Sequence, residues 1–271
     1  MILSASRRLA VLLVCLPALL GLTAPSSEQP ASTIRQDPGA RAWVGRYQEI
    51  EEYLRTAECV NMQPMASNSS PTRCTLPPGG LVARMAWKPQ PPGVYRGFWE
   101  SYKSEIAAYE LDKLLKMDMV PPAVERELQG NKGYAVLWVE NIVQLKADTS
   151  PPGSKRADWD RQMARASMFD NLIGNADRNL NNVLVDAAWN LILLDHTRAF
   201  RSSIELPRPL NRIDGAYWDR VQGLTRQELD AALGQWLDES QITAILDRRE
   251  KMRAETNRLV SEKGSAAVVL R

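Results

Sequence analysis

The sequence contains one histidine, His196, and only three cysteines among its 271 residues. A catalytic triad of the Ser-His-Asp type would depend on that one ring, and a structural zinc site takes about four cysteine or histidine ligands. The charges nearly balance, with 34 Lys and Arg against 32 Asp and Glu, so the chain lacks the basic field that binds nucleic acid. Triad hydrolysis, structural zinc and nucleic-acid binding are therefore disfavoured. The length suits one large domain or two lobes around a cleft.

The first 24 residues have the pattern of an export signal. Arg7 and Arg8 precede an apolar run, Leu9 to Leu22, and Ala24 offers a small residue for cleavage. The run is shorter than the ~20 apolar residues of a comfortable membrane span; an uncleaved anchor and a buried helix are the alternatives. We predict a signal peptide at 1–24, a flexible tether at 25–36, and a secreted or periplasmic protein with no stable membrane span after cleavage.

Cleavage would remove Cys15 and leave Cys59 and Cys74. An even pair in an oxidising compartment favours a disulfide, with two buried free thiols as the alternative. Such a cross-link stabilises by about 3 kcal/mol in the chain-entropy model. The strand pattern places both cysteines about equally far from one turn, so we expect the disulfide to join two neighbouring strands.

The hydrophobic pattern predicts an α+β chain in two lobes. Residues 37–141 read as a helix, a small antiparallel sheet and a second helix, and residues 142–271 as a mainly helical lobe. The predicted elements are a helix from Asp37-Pro38 through Leu54, strands at 57–63, 72–76 and 81–88, a loop at 93–97, a helix at 102–117, a strand at 134–139, a linker at 146–156, a helix at 159–173, a hairpin at 183–194, a helix after the capping box Thr225-x-x-Glu228, and a last helix from Ser240 to Gly264.

The densest polar segment is the loop 174–182, which is followed by the predicted hairpin and Asp195. Phosphoryl transfer needs a carboxylate to orient the attacking hydroxyl, and an amide and a second carboxylate to hold a metal ion against the phosphates. Asp177, Asn182 and Asp195 supply these groups. Asp177 and Asn182 alone would equally suit an ordinary turn. The position of Asp195 at the hairpin's end favours a metal and phosphate site.

Five short stretches resemble one protein superfamily. In protein kinases and their atypical relatives, a catalytic Asp-x-x-x-x-Asn is followed by a hairpin and a second Asp, and this chain has the same arrangement. The residues around these positions resemble most closely the motifs of secretory-pathway kinases of the Golgi casein kinase type. HipA-type kinases and type II phosphatidylinositol 4-kinases share the same arrangement of Asp, Asn and Asp. The stretches are G-N-A-D-R at 174–178, L-D-H-T-R-A-F at 194–200, S-E-I-A-A-Y-E-L-D at 104–112, V-P-P at 120–122 and A-W-K-P at 86–89.

The resemblance implies a two-lobed, protein-kinase-like fold and gives the upstream residues roles. Lys88 would contact the nucleotide phosphates, and Glu105 would pair with it from the helix. Val139 and Glu140 would lie at the hinge that contacts adenine. Without the resemblance, Lys88 reads as a strand-end lysine and Glu105 as a helix-start acid favoured by the helix dipole.

The same resemblance makes Asp177 the catalytic residue and Asn182 and Asp195 the ligands of Mg²⁺ or Mn²⁺. It implies an exported kinase that transfers the γ-phosphoryl group of ATP to a hydroxyl on a protein, glycan or small molecule. The alternatives are a silent pseudokinase, a nucleotide-binding or scaffold module, and an enzyme that transfers AMP.

The sequence departs from that pattern at several places. It has no G-x-G-x-x-G loop, so we expect the turn at 66–70, with Ser69 and Ser70, to cover the phosphates through its backbone amides. Asn182 stands where the secretory kinases tend to carry an acid. His196-Thr197 replaces their Asn-Gly, and we expect the His196 ring mainly to fill space, the alternative being that it orients Asp195.

Overall fold

A computed structural model describes residues 41–65 and 71–271. The predicted signal peptide and tether, the predicted helix start at Asp37-Pro38, and Ser69 and Ser70 lie outside the described residues. Among those described, no helix is long and apolar enough to cross a membrane.

The first helix, α1, spans Tyr47–Thr56, later than the sequence predicts. Trp43 lies in a turn before it and Gly45 adopts a φ of +80°, a left-handed conformation that interrupts any helix running in from upstream. The predicted apolar face is nevertheless present. Trp43, Ile50 and Leu54 are all fully buried, so the helix packs on the sheet as its periodicity indicates.

The amino-terminal half is built on a five-stranded antiparallel sheet in the order β1-β2-β3-β7-β6. Its elements are β1 Asn61–Pro64, β2 Thr72–Thr75, β3 Arg84–Lys88, the hairpin β4 Gly93–Tyr95 and β5 Phe98–Glu100, helix α2 Tyr102–Leu114, β6 Ala123–Leu128 and β7 Asn131–Leu137. Ser101 caps α2 by accepting a hydrogen bond from the Lys103 amide. Gly133 precedes Tyr134, which pairs with Lys88, and it admits the close approach of β3, since an added Cβ would lie 2.3 Å from the Lys88 carbonyl oxygen.

Two of these features differ from the sequence-based expectation. The stretch 93–97, expected as a loop, forms β4 and the turn into β5. Strand β6 was not predicted, because Glu125, Arg126 and Glu127 dominate its centre. Arg126 is buried all the same and donates to the carbonyl oxygens of Leu54 and Ala57, so a charged side chain serves as a tie between α1 and the sheet.

The carboxyl-terminal half is mainly helical. Its elements are β8 Ile142–Gln144, α3 Arg156–Ile173, β9 Val183–Asp186, β10 Leu191–Leu193, β11 Ile213–Asp214, α4 Gly215–Gly223, α5 Arg226–Leu233, α6 Glu239–Lys263, α7 Ser265–Val268 and β12 Val269–Leu270. The predicted capping box at Thr225 and Glu228 begins α5. Gly174 ends α3 as predicted, with φ +67°, and an added Cβ there would meet the Arg248 guanidinium at 3.1 Å.

The two larger of the three apolar clusters among the described residues flank the junction of the halves. The smaller lies between α1 and the five-stranded sheet, and the larger joins α3 to α6 with the hairpin β9–β10. Helix α2 is buried nearly all round and contributes Ala107, Ala108 and Leu111 to the larger core. Packing in the larger core therefore fixes the position of α2 relative to the carboxyl-terminal half.

Cys59 and Cys74 lie at disulfide distance, with their Cα atoms 5.6 Å apart. Cys74 is in β2 and fully buried, and Cys59 lies two residues before β1. The pair therefore connects β2 to the chain entering its neighbour.

Candidate active site

The loop after α3 is stiffened by side-chain hydrogen bonds to its own backbone. Asn175 is fully buried; its Nδ2 donates to Asp170 Oδ1 at 3.1 Å, and its Oδ1 accepts the Asp177 amide at 3.1 Å. This arrangement leaves the Asp177 side chain 42% exposed. The loop thus presents one carboxylate, that of Asp177, partly to solvent from a hydrogen-bonded base.

Arg178 connects the loop to both predicted metal ligands. Its guanidinium forms a buried ion pair with Asp170, with Nη2 and Oδ1 3.1 Å apart. Its Nη1 also donates to the carbonyl oxygens of Asn182, at 3.0 Å, and of Leu194. One cation therefore fixes the backbone at Asn182 and immediately before Asp195, and charge-assisted bonds of this kind are among the stronger ones.

Asn182 and Asp195 lie side by side at the open end of the hairpin β9–β10. Val183 pairs with Leu193, and the Leu194 amide donates to the Asn182 carbonyl at 3.0 Å. Asp195 adopts a φ of +57°, and its Oδ1 accepts the Thr197 hydroxyl at 2.9 Å. A positive φ is uncommon for a residue other than glycine, and such conformations cluster at functional sites.

The structure brings Lys88 and Glu105 to the same place from the other half of the molecule. Lys88 ends β3, Glu105 lies in the first turn of α2, and the two side chains are almost completely buried. Together with Asn182 and Asp195 they line one cleft of about 390 Å³. Four predicted residues from four separate segments therefore share a cavity.

The rest of the cleft wall is largely apolar. A volume in the range of small-molecule sites, with apolar walls and a few polar groups, suits a small ligand that has both apolar and polar parts. Among the residues that line it are Ala86, Val120, Ala123, Val136, Val139, Leu184 and Leu193.

The predicted pair between Lys88 and Glu105 is absent among the described residues, and this expectation was wrong. Glu105 instead accepts the His196 amide on Oε1 at 2.6 Å and faces the His196 ring nitrogen Nδ1 with Oε2 at 3.0 Å. Both carboxylate oxygens are used. The Lys88 side-chain amine has no hydrogen bond or ion pair within the described residues, so it is available for an anion.

The two predicted hinge residues differ in what they contact. Val139 lines the cleft. The Glu140 side chain forms a two-point ion pair with Arg84, whose Nε lies 2.8 Å from Oε1, and it is not among the cleft-lining residues. Only Val139 therefore offers a side chain to a ligand.

Asp177 does not line the cleft either; it lies on the partly exposed loop after α3. Its Oδ2 is 3.2 Å from Arg198 Nη1, and Arg198 also binds Glu100 at 2.8 Å and stacks on Phe98 at 4.2 Å from the ring centre. The sequence predicted no role for Arg198, Glu100, Arg178 or Asp170. Arg198 and Glu100 are 98 residues apart, and the pairing of Arg178 with Asp170, eight residues apart, depends on the burial of both side chains.

The predicted phosphate-covering turn lies outside the described residues, but its flanks are informative. Met65 and Pro71 both line the cleft, and the Met65 amide donates to the Pro71 carbonyl at 2.9 Å. The two ends of the segment that carries Ser69 and Ser70 thus meet at the cleft, and the role of both serines stays a prediction.

A divalent cation fits the donor set at one end of the cleft. No group of three His, Cys, Asp or Glu side chains that could hold a metal occurs in the described part of the chain. Asn182 and Asp195 offer amide and carboxylate oxygens, which suit Mg²⁺ or Mn²⁺ when phosphates and water complete the coordination shell. The site therefore fits a metal that arrives with a nucleotide.

Comparisons with solved structures find a similar fold in other proteins. A crystal structure of the Golgi casein kinase aligns with a TM-score of 0.64 at 14% identity, over 83% of this chain and 78% of that one. The Golgi casein kinase with Mn/ADP bound gives the same values. The structure of hydra Fam20 with sugar gives 0.65 at 15%, over 82% of this chain and 91% of that one. No protein-family model and no curated protein matches the sequence. The predicted two-lobed, atypical kinase-like fold is confirmed.

Proposed function

We propose that this chain is a kinase that transfers the γ-phosphoryl group of ATP to a hydroxyl, with Mg²⁺ or Mn²⁺. The observation that carries the proposal is the single cleft shared by Lys88, Glu105, Asn182 and Asp195. A buried lysine amine is costly unless an anion compensates it, and Lys88 has no such partner within the described residues. Nucleotide phosphates would supply that anion.

The apolar wall of the cleft, including Val139, would receive the adenine ring. Lys88 would bind the phosphate oxygens as a point charge. Asn182 and Asp195 would hold the metal ion, which when bound neutralises charge on the phosphates during transfer. Asp177 would accept or orient the hydroxyl proton from the loop after α3. Arg198, bound to the same carboxylate, would keep Asp177 in a fixed position until the acceptor enters.

Two solved structures of similar fold contain ligands that suit this proposal. The Golgi casein kinase structure holds Mn and ADP, and the hydra protein holds a sugar. These support a nucleotide, a divalent metal and a hydroxyl-bearing acceptor for this chain. The export pattern at 1–24 and the Cys59–Cys74 pair, which as a disulfide requires an oxidising compartment, support a site of action outside the cytoplasm.

The test uses the purified protein with γ-labelled or α-labelled ATP and Mg²⁺ or Mn²⁺, together with dephosphorylated protein and free oligosaccharide as acceptors. Asp177→Asn and Asp195→Asn remove one carboxylate each. Asp148→Asn makes the same chemical change at an exposed loop position and is the matched control.

Incorporation of γ label that both site variants lose and the control retains is the expected result. Incorporation of the α label alone would show that the protein transfers AMP and not the γ-phosphoryl group. Nucleotide binding without any label would identify a pseudokinase, and the absence of both would leave a binding protein that reuses the fold.

A further inference from the structure

His196 makes a buried contact that its expected space-filling role does not explain. The ring is fully buried, Nδ1 lies 3.0 Å from Glu105 Oε2, and the residue's own amide donates to Oε1 at 2.6 Å. Because a carboxylate only accepts, the Nδ1 atom carries the hydrogen between them. One residue thus binds both oxygens of a carboxylate from a helix 91 residues away.

The residues after His196 are attached to the same end of α2. The Thr197 carbonyl accepts the Ser101 amide at 3.0 Å, and the Ala199 carbonyl accepts the Ser104 hydroxyl at 3.4 Å. Arg198 binds Glu100, as described above. The four residues after Asp195 therefore each contact the start of α2 or Glu100 just before it, and the helix and the predicted metal-binding segment form one body.

Within this body, the contact between Glu105 and His196 is buried. Both side chains are almost completely excluded from water, where an unpaired carboxylate costs several kcal/mol. His196 directly follows Asp195, whose left-handed φ must be maintained by its surroundings. The contact therefore acts on the backbone of the predicted metal ligand.

We propose that His196 is a positioning residue that holds Asp195 in its metal-binding geometry by binding Glu105. It takes the place of the expected Lys88–Glu105 pair and leaves the Lys88 amine to the nucleotide phosphates. The inference rests on the proposed function, because it assigns His196 a part in metal and nucleotide binding at that site.

Three substitutions separate hydrogen bonding from packing. Asn places its Nδ2 as many bonds from the backbone as the His Nδ1, so His196→Asn keeps the donor with a smaller side chain. Gln carries its donor one bond further, and Leu keeps much of the apolar volume without any donor. If the His196 ring only fills space, the protein should tolerate Leu better than Asn at this position. If the ring positions Asp195, the protein should tolerate Asn better than Leu.

The measurement is calorimetric binding of Mn²⁺ to the protein saturated with ADP, followed by kcat and the KM for the acceptor. We expect His196→Leu to weaken Mn²⁺ binding about 10–100-fold, the usual effect of losing a residue that orients a metal ligand. The same variant should lower kcat with the acceptor KM little changed, and His196→Asn should restore most of both, with His196→Gln between them.

A double-mutant cycle with Glu105→Gln tests the route of the effect. If His196 acts through Glu105, then His196→Leu should cost little in Mn²⁺ affinity once Glu105 is already Gln. Wild-type Mn²⁺ affinity in His196→Leu, or full additivity in the cycle, would overturn the inference. A wild-type protein that binds neither ADP nor Mn²⁺ would instead overturn the proposed function, so the two failures are distinguishable.

Discussion

The carboxyl group of Asp112 should make the stability of this protein depend on pH in a direction opposite to most carboxylates. Asp112 is fully buried on α2, and its Oδ1 accepts the amides of Met119 at 2.9 Å and Val120 at 3.1 Å. Its Oδ2 has no partner within the described residues. These bonds fix the chain that enters the cleft at Val120, so the group supports the nucleotide site as well as the fold.

Burial raises the pKa of Asp112 from its ordinary value of 3.8 to about 7, although the two amides oppose the shift. The folded protein therefore binds this proton more tightly than the unfolded chain. The resulting stabilisation is fully present below pH 3.8 and is lost as the pH rises to about 7. Since one pH unit corresponds to 1.36 kcal/mol, the loss amounts to about 4 kcal/mol.

Asp112→Asn removes the ionisation and keeps an oxygen to accept both amides. We expect the free energy of unfolding of the variant, minus that of wild type, to increase from pH 4 to about pH 7 and then to level off. Above pH 7 the variant should be the more stable protein, by up to the same ~4 kcal/mol.

Urea unfolding at pH 4.5, 6, 7 and 8.5 measures this difference. The comparison with the variant is needed because other carboxylates act in the opposite direction. Glu228, for example, has a pKa lowered by the Thr225 hydroxyl, so it stabilises the protein as the pH rises and masks the effect of Asp112 in the wild-type curve alone. Asp148→Asn, at an exposed position, is the control. A difference that stays constant across this range would refute the reasoning.

Three further predictions follow from single contacts. Arg178→Ala leaves a buried carboxylate unpaired and should lower the free energy of unfolding by about 3–5 kcal/mol in urea titrations; a loss below ~1 kcal/mol would contradict the pairing. Arg198→Ala frees Asp177 and should lower kcat about 10²-fold, while the calorimetric affinity for ADP should stay unchanged because Arg198 does not line the cleft. Replacing Cys59 and Cys74 by Ser should lower the free energy of unfolding by about 3 kcal/mol, measured in urea without reductant. Equal urea midpoints for the variant and the wild type would argue that the two cysteines are free thiols.

Local signals in the sequence predicted the carboxyl-terminal part of the site. Gly174 ends α3 because its left-handed φ suits glycine, and the polar loop and hairpin that follow are set by near neighbours. The capping box at Thr225 and Glu228 is of the same kind. Such features are predictable since residues a few positions apart decide them.

Features that depend on burial were missed. Strand β6 looks polar in sequence, and only the packing of Arg126 against the carbonyl oxygens of Leu54 and Ala57 explains why the charge is tolerated. Helix α1 was predicted to begin too early, because an apolar periodicity does not reveal that Gly45 takes a left-handed φ.

The sequence by itself determined which chemical groups are available: Lys88, Asp177, Asn182 and Asp195, and a polar loop that ends in a hairpin. Only the tertiary structure decided which partner Glu105 takes. Lys88 and His196 are both distant from it along the chain, and spacing does not rank two distant candidates. The packing of α2 against the carboxyl-terminal half brings the His196 amide and ring within hydrogen-bond distance, and both oxygens of Glu105 are thereby used.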